Sequence, residues 1–292
     1  MSYFIGIDIG GTNLRAAIIS KEGEVIDTFK TANEVTSGAE YNLNKLVDCI
    51  KNQWKEYEFE KVGVGAPGPL DLKAGRILNP PNLKGWENFN IKEYLSEKLN
   101  LPVKVNNDAN VAGLAEAVVG AAKEAESVFY ITISTGVGGG LILDKKIING
   151  AHSQAAEIYN MIINEDEYVQ PGLNKSSLEG QCSGVNIARI ASPRKNKQLS
   201  TKEVFDLYNS NDEEITSIIE KWIDNISIGI ANIISVVDPE VIVLGGAVPI
   251  NNSFLIPKIA EAVKGKVADL SMVDIRVAEI GDNAGLIGAA ML

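Results

Sequence analysis

The sequence contains very little cysteine and histidine. Cys49 and Cys182 are the only cysteines among 292 residues, they do not form a Cys-x-x-Cys pair, and His152 is the only histidine. Disulfide frameworks and structural zinc sites need several such residues at short spacing. The sequence therefore excludes both kinds of site and offers almost no imidazole ligands for metal chemistry.

The sequence also lacks a surplus of basic residues and a long apolar run. It has 27 Lys and Arg against 38 Asp and Glu, a net charge of -11. We therefore expect no nucleic-acid partner and no membrane partner, and a small molecule fits better. The beginning, MSYFIGIDIGG, does not resemble a signal peptide, and no later stretch offers about 18 uninterrupted apolar residues. We expect a cytoplasmic protein.

Glycine, in contrast, is plentiful and is concentrated in three turns, GIDIGGTN, STGVGGG and VLGGAV. One such turn is as consistent with a tight hairpin as with a ligand. Three of them favour nucleotide binding, because glycine-rich turns expose backbone N–H groups that can hold phosphates. A Walker loop and a dinucleotide fingerprint would both open a helix, whereas STGVGGG runs into the strand LILD. The turns therefore belong to β-hairpins.

The order of strand, glycine turn and strand occurs twice along the chain. YFIGIDI, GGTN and LRAAII match VFYITI, STGVGGG and LILD, and aligning Asp8 with Ser134 places Gly10 over Gly136. Two related halves also suit the length, because single cores stop growing near about 250–300 residues. Apolar spacing predicts a long helix that ends at Asp238-Pro239 and a last helix in AGLIGAAML.

Five segments follow one another along the chain: IGIDIGGTNLRAAII, GVGAPGPLD, NPPNLKGW, NNDAN and ISTGVGGGLI. In this order and with these gaps they resemble the ROK family of bacterial sugar kinases, sugar-sensing repressors and open reading frames of unknown role. The resemblance implies an α/β protein with a two-lobed, actin-like ATPase (ribonuclease H-like) fold. It would consist of a duplicated β-meander plus helices, with the site in the cleft between the lobes.

The second meander sets the predicted lobe boundary. The N-terminal lobe, with sugar and phosphate contacts, would span residues 1–116, and the last helix, about 282–292, would pack back onto it. The C-terminal lobe, for nucleotide binding and dimerisation, would span residues 117–281. Homodimers are common in the family, so the resemblance also implies a homodimer.

The resemblance implies ATP and Mg²⁺ as cofactors. The first hairpin turn would contact the phosphates and magnesium, the second would be its partner, and the Gly-Gly turn would contact adenosine. The implied cofactor-binding residues are Asp8, Gly10, Gly11, Thr12, Asn13, Thr135, Gly136, Gly138, Gly245 and Gly246. Magnesium takes few protein ligands, and Asp8 would contribute through water. Alternatively, Asp8 is a structural carboxylate that only orders the turn.

The resemblance also implies a sugar site. In NNDAN, Asn107 would hold a sugar hydroxyl and Asp108 would be the general base, while Gly68 and Asn82 would belong to the sugar-binding wall. Phosphoryl transfer to an alcohol needs mainly alignment and charge neutralisation, so one well-placed carboxylate is enough. The alternative is that Asp108 merely caps the helix that begins at Ala109.

The segment GAHSQAAEIYNMI departs from the family pattern G-A-x-G-x-A-G-E-I-G-H-M. Glu157 is kept and would bind sugar hydroxyls, but Asn160 stands at the position of the histidine that binds zinc. If Asn160 lines the pocket, its amide changes which sugar fits. His152 falls on a free position, and we expect it on the surface or in a turn.

The family's zinc cysteines, C-x-C-G-x-x-G-C-L-E, are absent as well. The chain reads GLNKSSLEG, with Ser177 at the last cysteine, while Glu179 is kept and would reach the sugar. A zinc site that has lost its histidine has no use for its cysteines. We predict that the protein has no zinc site.

These features together predict a glucokinase-like sugar kinase. The reaction would be ATP-dependent phosphorylation of a hydroxyl of a hexose or hexose derivative, with the 6-hydroxyl favoured. One alternative is a sugar-sensing ROK-type regulator or non-catalytic sugar-binding protein, although the phosphate hairpin begins at residue 4 and leaves no room for a helix-turn-helix before it. Another is an ATPase activator, whose iron–sulfur cysteines are missing.

Overall fold

The computed structural model describes residues 2–80, 83–268 and 273–292, and within them the chain is a mixed α/β protein. The strands are β1 Ser2–Ile9, β2 Asn13–Ile19, β3 Val25–Ala32, β4 Glu58–Ala66, β5 Leu70–Asp71, β6 Arg76–Ile77, β7 Val103–Asn107, β8 Ser127–Ile133, β9 Val137–Leu143, β10 Lys146–Ile147, β11 Val241–Gly245 and β12 Asp274–Val277. The helices are α1 Gly38–Asp48, α2 Ile91–Leu99, α3 Asp108–Val118, α4 Leu178–Cys182, α5 Gly184–Ala191, α6 Thr201–Asn209, α7 Glu213–Val237, α8 Ala247–Asn251, α9 Ile256–Lys264 and α10 Ala284–Ala290.

Two sheets have the same strand order, which confirms the duplicated meander. The first sheet runs β3-β2-β1-β4-β7 and the second β10-β9-β8-β11-β12. In the first sheet β3, β2 and β1 pair antiparallel, and in the second β10 and β9 pair antiparallel with β8 next to β9. In both sheets the fourth and fifth strands join parallel. The glycine turns between β1 and β2 and between β8 and β9 therefore occupy equivalent places in the two sheets.

Contacts divide the chain into two compact units. The first unit comprises Met1–Glu124, Ile142–Ala155 and Asp282–Leu292, and the second comprises Ala125–Leu141 and Ala156–Gly281. The first unit thus continues past residue 116 to Glu124. The turn after α3 is held by the Glu116 carboxylate, which accepts a hydrogen bond from the Ala121 backbone N–H at 2.8 Å. The functional division at residue 116 stays a prediction.

In the first unit, α10 packs directly on the sheet. A Cβ on Gly6 in β1 would lie 2.0 Å from the Leu286 carbonyl oxygen, and one on Gly63 in β4 would lie 1.7 Å from the Ala289 carbonyl oxygen. A side chain at either strand position would push the helix away. These glycines therefore serve helix packing, a structural role distinct from that of the glycine turns.

In the second unit, α7 supplies much of the apolar core. Its buried face includes Ile219, Trp222 and Ile226, which belong to one cluster with strand residues of β8 and β11. The Asp212 side chain accepts from the Ile215 N–H at the start of the helix, and Asp238, with a φ of 50°, ends it before Pro239. The predicted helix and its end are confirmed. Among the described residues, we find no helix with the length and apolar character needed to span a membrane.

Candidate active site

The first glycine turn joins β1 to β2 and is held from β3. The Gly10 N–H donates to the Asn13 carbonyl at 2.9 Å, and Asn33 donates its backbone N–H to the Thr12 carbonyl at 2.8 Å and its Nδ2 to the Gly10 carbonyl at 2.7 Å. Asn33 is buried, while Gly11 and Thr12 are exposed. The turn is thus fixed through its carbonyl groups and remains open to a ligand. Sequence reasoning missed Asn33, whose role depends on strand pairing.

Asp8, at the end of β1, forms an ion pair within the first unit. Arg15 on β2 donates from Nη2 and Nε to Asp8 Oδ2, at 2.6 and 3.0 Å, and from Nη1 to the Asp282 carbonyl at 2.7 Å. Both bonds to Asp8 end on the same oxygen, so Oδ1 lies outside the pair. The ion pair gives the structural alternative for Asp8 a physical basis, and the magnesium role stays a prediction.

Asp108 begins α3 directly after β7. Asn107 is the N-cap residue, whose side-chain oxygen accepts from the Ala109 N–H at 3.0 Å, and Asp108 Oδ1 accepts from the same group at 2.8 Å. The cap is therefore supplied by Asn107, although Asp108 shares its donor. Capping alone does not require a carboxylate at position 108.

The environment of Asp108 favours its protonated form. Desolvation by the surrounding protein is the largest cause, and the nearby charge of Asp8 adds to it, so that the pKa rises to about 6 despite the bond from Ala109. The residue as a whole is nevertheless exposed. A small molecule can reach this carboxylate, while the protein around it limits its hydration.

Gly68 and Asn107, both predicted for the sugar-binding wall, lie side by side. A Cβ on Gly68 would stand 3.6 Å from Asn107 Nδ2. Asn106 accepts from the Asn107 N–H at 2.8 Å and donates to Asn149 Oδ1 at 3.0 Å, so it holds the end of β7. Asn106 was not identified from the sequence. Asn82, predicted for the same wall, lies outside the described residues.

In the second unit, Glu179 on α4 lies against the second glycine turn. The Val137 N–H donates to Glu179 Oε2 at 3.0 Å, and a Cβ on Gly136 would lie 2.6 Å from that oxygen. Thr135 is exposed in the turn, and Gly138 lies half-buried in β9. The structure thus brings together a residue predicted for the sugar and residues predicted for the phosphates.

Glu157 precedes a single 3₁₀ turn, Ile158–Asn160, whose last residue is Asn160. Glu157 is half-buried, and its charge and that of Glu179 both act on Tyr159, whose pKa is raised first by burial and then by these two carboxylates. Asn160 Oδ1 accepts from the Asn174 N–H at 2.5 Å, and its carbonyl accepts from Asn174 Nδ2 at 3.2 Å. Asn160 therefore links two segments. His152 is exposed in a turn, as predicted.

The residues at the family's zinc positions do not fit zinc. The Asn160 side-chain oxygen is already bound to backbone, and Ser177 is buried and caps α4 by accepting from the Gly180 N–H at 3.2 Å. Cys182 is fully buried, and burial raises the pKa of its thiol. Within residues 2–80, 83–268 and 273–292, no group of three or more His, Cys, Asp or Glu side chains could hold a metal ion.

The Gly245-Gly246 turn follows β11 and packs against β8. A Cβ on Gly245 would lie 2.2 Å from the Tyr130 hydroxyl, and one on Gly246 would lie 2.5 Å from the Ile133 carbonyl oxygen. Gly246 also has a φ of 82°. Packing alone therefore requires glycine at both positions, and the adenosine contact stays a prediction.

The chain is similar to known proteins along nearly its whole length. The model of the ROK family matches residues 4–292. The chain belongs to the ROK family. Two relatives of this ROK protein are a glucokinase of Halalkalibacterium halodurans, 29% identical over 99% of this chain and 94% of the relative, and an N-acetylmannosamine kinase of Haemophilus influenzae, 29% identical over 98% and 93%.

Solved ROK structures share the fold. A ROK hexokinase from Thermus thermophilus is 30% identical, with a TM-score of 0.92 over 99% of this chain and 97% of that one. A ROK glucokinase from Streptomyces griseus, solved in complex with glucose and AMPPNP, is 26% identical, with a TM-score of 0.81 over 99% and 98%. The predicted α/β fold of the actin-like class is confirmed.

Proposed function

We propose that this ROK chain is a sugar kinase that transfers the γ-phosphoryl group of ATP to a hydroxyl of a hexose or hexose derivative, with the 6-hydroxyl favoured. A glucokinase and an N-acetylmannosamine kinase among its relatives support this class of reaction. The glucokinase that binds AMPPNP supports a nucleoside triphosphate as phosphoryl donor.

The state of Asp108 is the observation that carries the proposal. Asp108 is an exposed residue beside Asn107, and the pKa of its carboxyl group is raised to about 6, mainly by desolvation. A general base works best with a pKa near the working pH, so that it is ionised and still accepts a proton readily. We assign to Asp108 the acceptance of the proton from the attacking sugar hydroxyl, with Asn107 and Gly68 beside it in the sugar wall.

Asp8 and the first turn would serve the phosphates. Mg²⁺, when bound with the nucleotide, neutralises charge on the phosphoryl group that is transferred. Asp8 Oδ1, outside the ion pair with Arg15, can accept a hydrogen bond from a metal-bound water, while exposed Gly11 and Thr12 offer backbone groups. The phosphate roles of Asn13, Thr135 and Gly138 and the adenosine role of Gly245 and Gly246 are proposed from the resemblance to the family.

The sugar itself would meet Glu157 and Glu179 in addition to Asn107. One relative is named for glucose and the other for N-acetylmannosamine, which carries an acetamido group, so membership of the family leaves the substrate open. A site built around particular hydroxyls rejects a substrate that lacks them. We infer that the segment joined by Asn160 and Asn174 determines which sugar the site accepts, because this segment follows Glu157 directly.

The test is sugar-stimulated release of ADP from Mg-ATP across glucose, mannose, fructose, N-acetylhexosamines, β-glucosides and inositols. We expect strong stimulation by one hexose or hexose derivative. If no compound raises ADP release above background while calorimetry detects sugar binding, the alternative of a sugar-sensing regulator takes its place. If neither sugar binding nor sugar-stimulated ADP release is detected, both proposals fail.

The family also supports two proposals about the protein as a whole, a homodimer and a cytoplasmic location. Sedimentation equilibrium of the purified protein tests the first, and fractionation of the source cells tests the second. A monomer at all concentrations up to about 100 µM, where weak specific association becomes visible, would remove the dimer.

A further inference from the structure

The carboxylate of Glu179 is held by the protein on both of its oxygens. Oε1 accepts from Gln170 Nε2 at 2.6 Å, and Oε2 accepts from the Val137 N–H at 3.0 Å. A bond to an ionised acceptor is shorter and stronger than one between neutral groups. Gln170 and the second glycine turn are thus connected through one carboxylate.

Gln170 is in turn held by Asn186, which is buried. Asn186 Nδ2 donates to Gln170 Oε1 at 2.7 Å, to the Glu179 carbonyl at 2.9 Å and to Ser183 Oγ at 2.8 Å. Asn186 Oδ1 accepts from Arg189 Nε at 2.8 Å. The amide of Gln170 therefore has a fixed partner on each side.

The direction of each hydrogen bond in the series Arg189, Asn186, Gln170 and Glu179 is determined by the groups at its two ends, the Arg189 guanidinium and the Glu179 carboxylate. Arg189 can only donate, so Asn186 must present its oxygen to it and its NH₂ group to Gln170. An ionised Glu179 can only accept, so Gln170 must present its NH₂ group to the carboxylate. Arg189 is itself fixed, because its guanidinium carbon lies 3.4 Å from the centre of the Tyr168 ring and Nη2 donates to the Gly180 carbonyl at 3.1 Å. One arrangement satisfies all the groups.

We propose that Gln170 is a positioning residue for the second glycine turn and acts through Glu179. Its amide orients the carboxylate so that the other oxygen fixes the Val137 N–H, and Gly136 beside it. The inference rests on the proposed kinase function, in which this turn contacts phosphate and Glu179 contacts sugar. A carboxylate has about four acceptor positions, so a sugar hydroxyl can bind Glu179 while these bonds persist. Gln170 then couples the sugar residue to the nucleotide turn.

Gln170 does this without a metal. Aligned on Leu178 and Glu179, it stands at the first cysteine of the family's zinc pattern, and Asn160 and Ser177 at two other zinc positions are bound to backbone. Directed hydrogen bonds therefore hold this segment at positions where the family resemblance implies zinc ligands. A substitute for Gln170 must therefore reproduce its donor and acceptor bonds, and similar size alone is not enough.

The decisive experiment exchanges the two side chains. Gln170→Glu places two carboxylates face to face, so the bond between the two side chains is lost and the Glu179 carboxylate is no longer oriented. Glu179→Gln offers one oxygen to two donors, so either the bond from Gln170 or the bond from the Val137 N–H is lost. In the double variant Q170E/E179Q, the new glutamate accepts from Asn186 and from the new glutamine, whose oxygen accepts from the Val137 N–H. The exchange reverses the donor between the two side chains and restores all the bonds.

The readouts are hydrogen exchange of the Val137 amide without ligands and the affinity for a non-hydrolysable ATP analogue. We expect about tenfold faster exchange and about tenfold weaker analogue binding in each single variant, a typical effect of losing one bond to a charged group. The double variant should return to within about threefold of wild type, since its bonds are restored. Gln198→Glu, an exposed position with the same change of charge, should match wild type.

A double variant no better than the single variants would overturn the proposal, as would a Gln170→Glu variant equal to the Gln198→Glu control. The exchange measurement needs neither substrate. If wild type released no ADP with any sugar, the kinase function would fail, while Val137 protection would still decide whether Gln170 positions the turn.

Discussion

Arg15 and Asp8 form an ion pair beside the first glycine turn, with Nη2 and Nε of the guanidinium 2.6 and 3.0 Å from a single carboxylate oxygen, Oδ2. The charge of Asp8 raises the pKa of Asp108, after desolvation. Because Arg15 contacts Asp8 and carries the opposite charge, we expect it to offset part of this effect. The basicity of the proposed catalytic carboxylate therefore depends on an ion pair on the neighbouring strands.

Opposite substitutions in this pair should move the pH profile in opposite directions. In wild type, activity should fall as the pH drops through about 6, where Asp108 becomes protonated. Asp8→Asn removes a negative charge near Asp108, so the pH at which activity falls should decrease. Arg15→Met removes the positive charge that pairs with Asp8, so the pH at which activity falls should increase. The measurement is kcat/KM for the sugar between about pH 5 and 8.

Lys30→Met provides the control for the loss of a positive charge, since Lys30 is exposed on β3 and pairs with Arg15 in the sheet register. Lys30→Met should leave the pH at which activity falls unchanged. A shift of the same sign in Asp8→Asn and Arg15→Met would contradict the electrostatic explanation.

Asp108→Asn should keep sugar binding and lose turnover. The amide preserves size and can still contact a hydroxyl, but it cannot accept the proton, a loss typically worth about 10²–10⁴-fold in rate. Calorimetry gives the dissociation constant of the sugar, and single-turnover kinetics gives the chemical rate. Asp144→Asn, in an exposed turn with a φ of 48°, is the matched control. Near-native turnover in Asp108→Asn would remove Asp108 from the mechanism.

The same substitution should make the folded protein more stable at neutral pH. Below the ordinary pKa of 3.8, the carboxyl group is protonated in both the folded and the unfolded chain. As the pH rises from there to about 6, the unfolded chain ionises first, so ionisation disfavours folding, and above about 6 the penalty is constant. We expect Asp108→Asn to raise the Tm at pH 7.5 relative to wild type and to lose this advantage near pH 4. An equal Tm at both pH values would show that the site does not disfavour the charge.

The sequence predicted the elements that depend on local pattern and missed those that depend on distant pairing. Asp238 before Pro239 predicted the end of α7, and the repeated glycine turns predicted the duplicated meander that the two sheets contain. Asn33 holds the first turn only because β3 pairs beside it, and no spacing in the sequence indicates that contact. The hydrogen bonds of Gln170 likewise join residues on separate segments.

Glycine was the least specific signal, because the same residue meets two different needs. At Gly136, a missing Cβ lets a carboxylate approach the turn, whereas at Gly6 it lets a helix backbone approach a strand. Gly245 and Gly246 have sufficient packing reasons of their own. A turn motif therefore indicates where a ligand could bind, but the structure must show which of its glycines are not already required by packing.

Chelation should separate the two metals that the family implies. A zinc-selective chelator should leave ADP formation unchanged in excess Mg²⁺, because Asn160 and Ser177 have replaced zinc ligands and are engaged with backbone. EDTA in excess of Mg²⁺ should abolish activity, and added Mg²⁺ should restore it. Elemental analysis checks the same point directly. One zinc per purified chain, lost together with activity, would show that the site binds zinc through other residues.

Gly136→Ala should damage the second turn and leave the fold intact. The new Cβ would lie 2.6 Å from Glu179 Oε2, which is the end of a flexible side chain and can rotate away. The Val137 N–H would then lose its carboxylate partner, and the KM for the nucleotide should rise about tenfold, with the Tm within a few degrees of wild type. Gly265→Ala is the control, since the nearest atom to its Cβ would be 3.8 Å away. A nucleotide KM equal to that of the control would mean that the carboxylate does not position this turn, and a collapse of the Tm would mean that Glu179 cannot move aside.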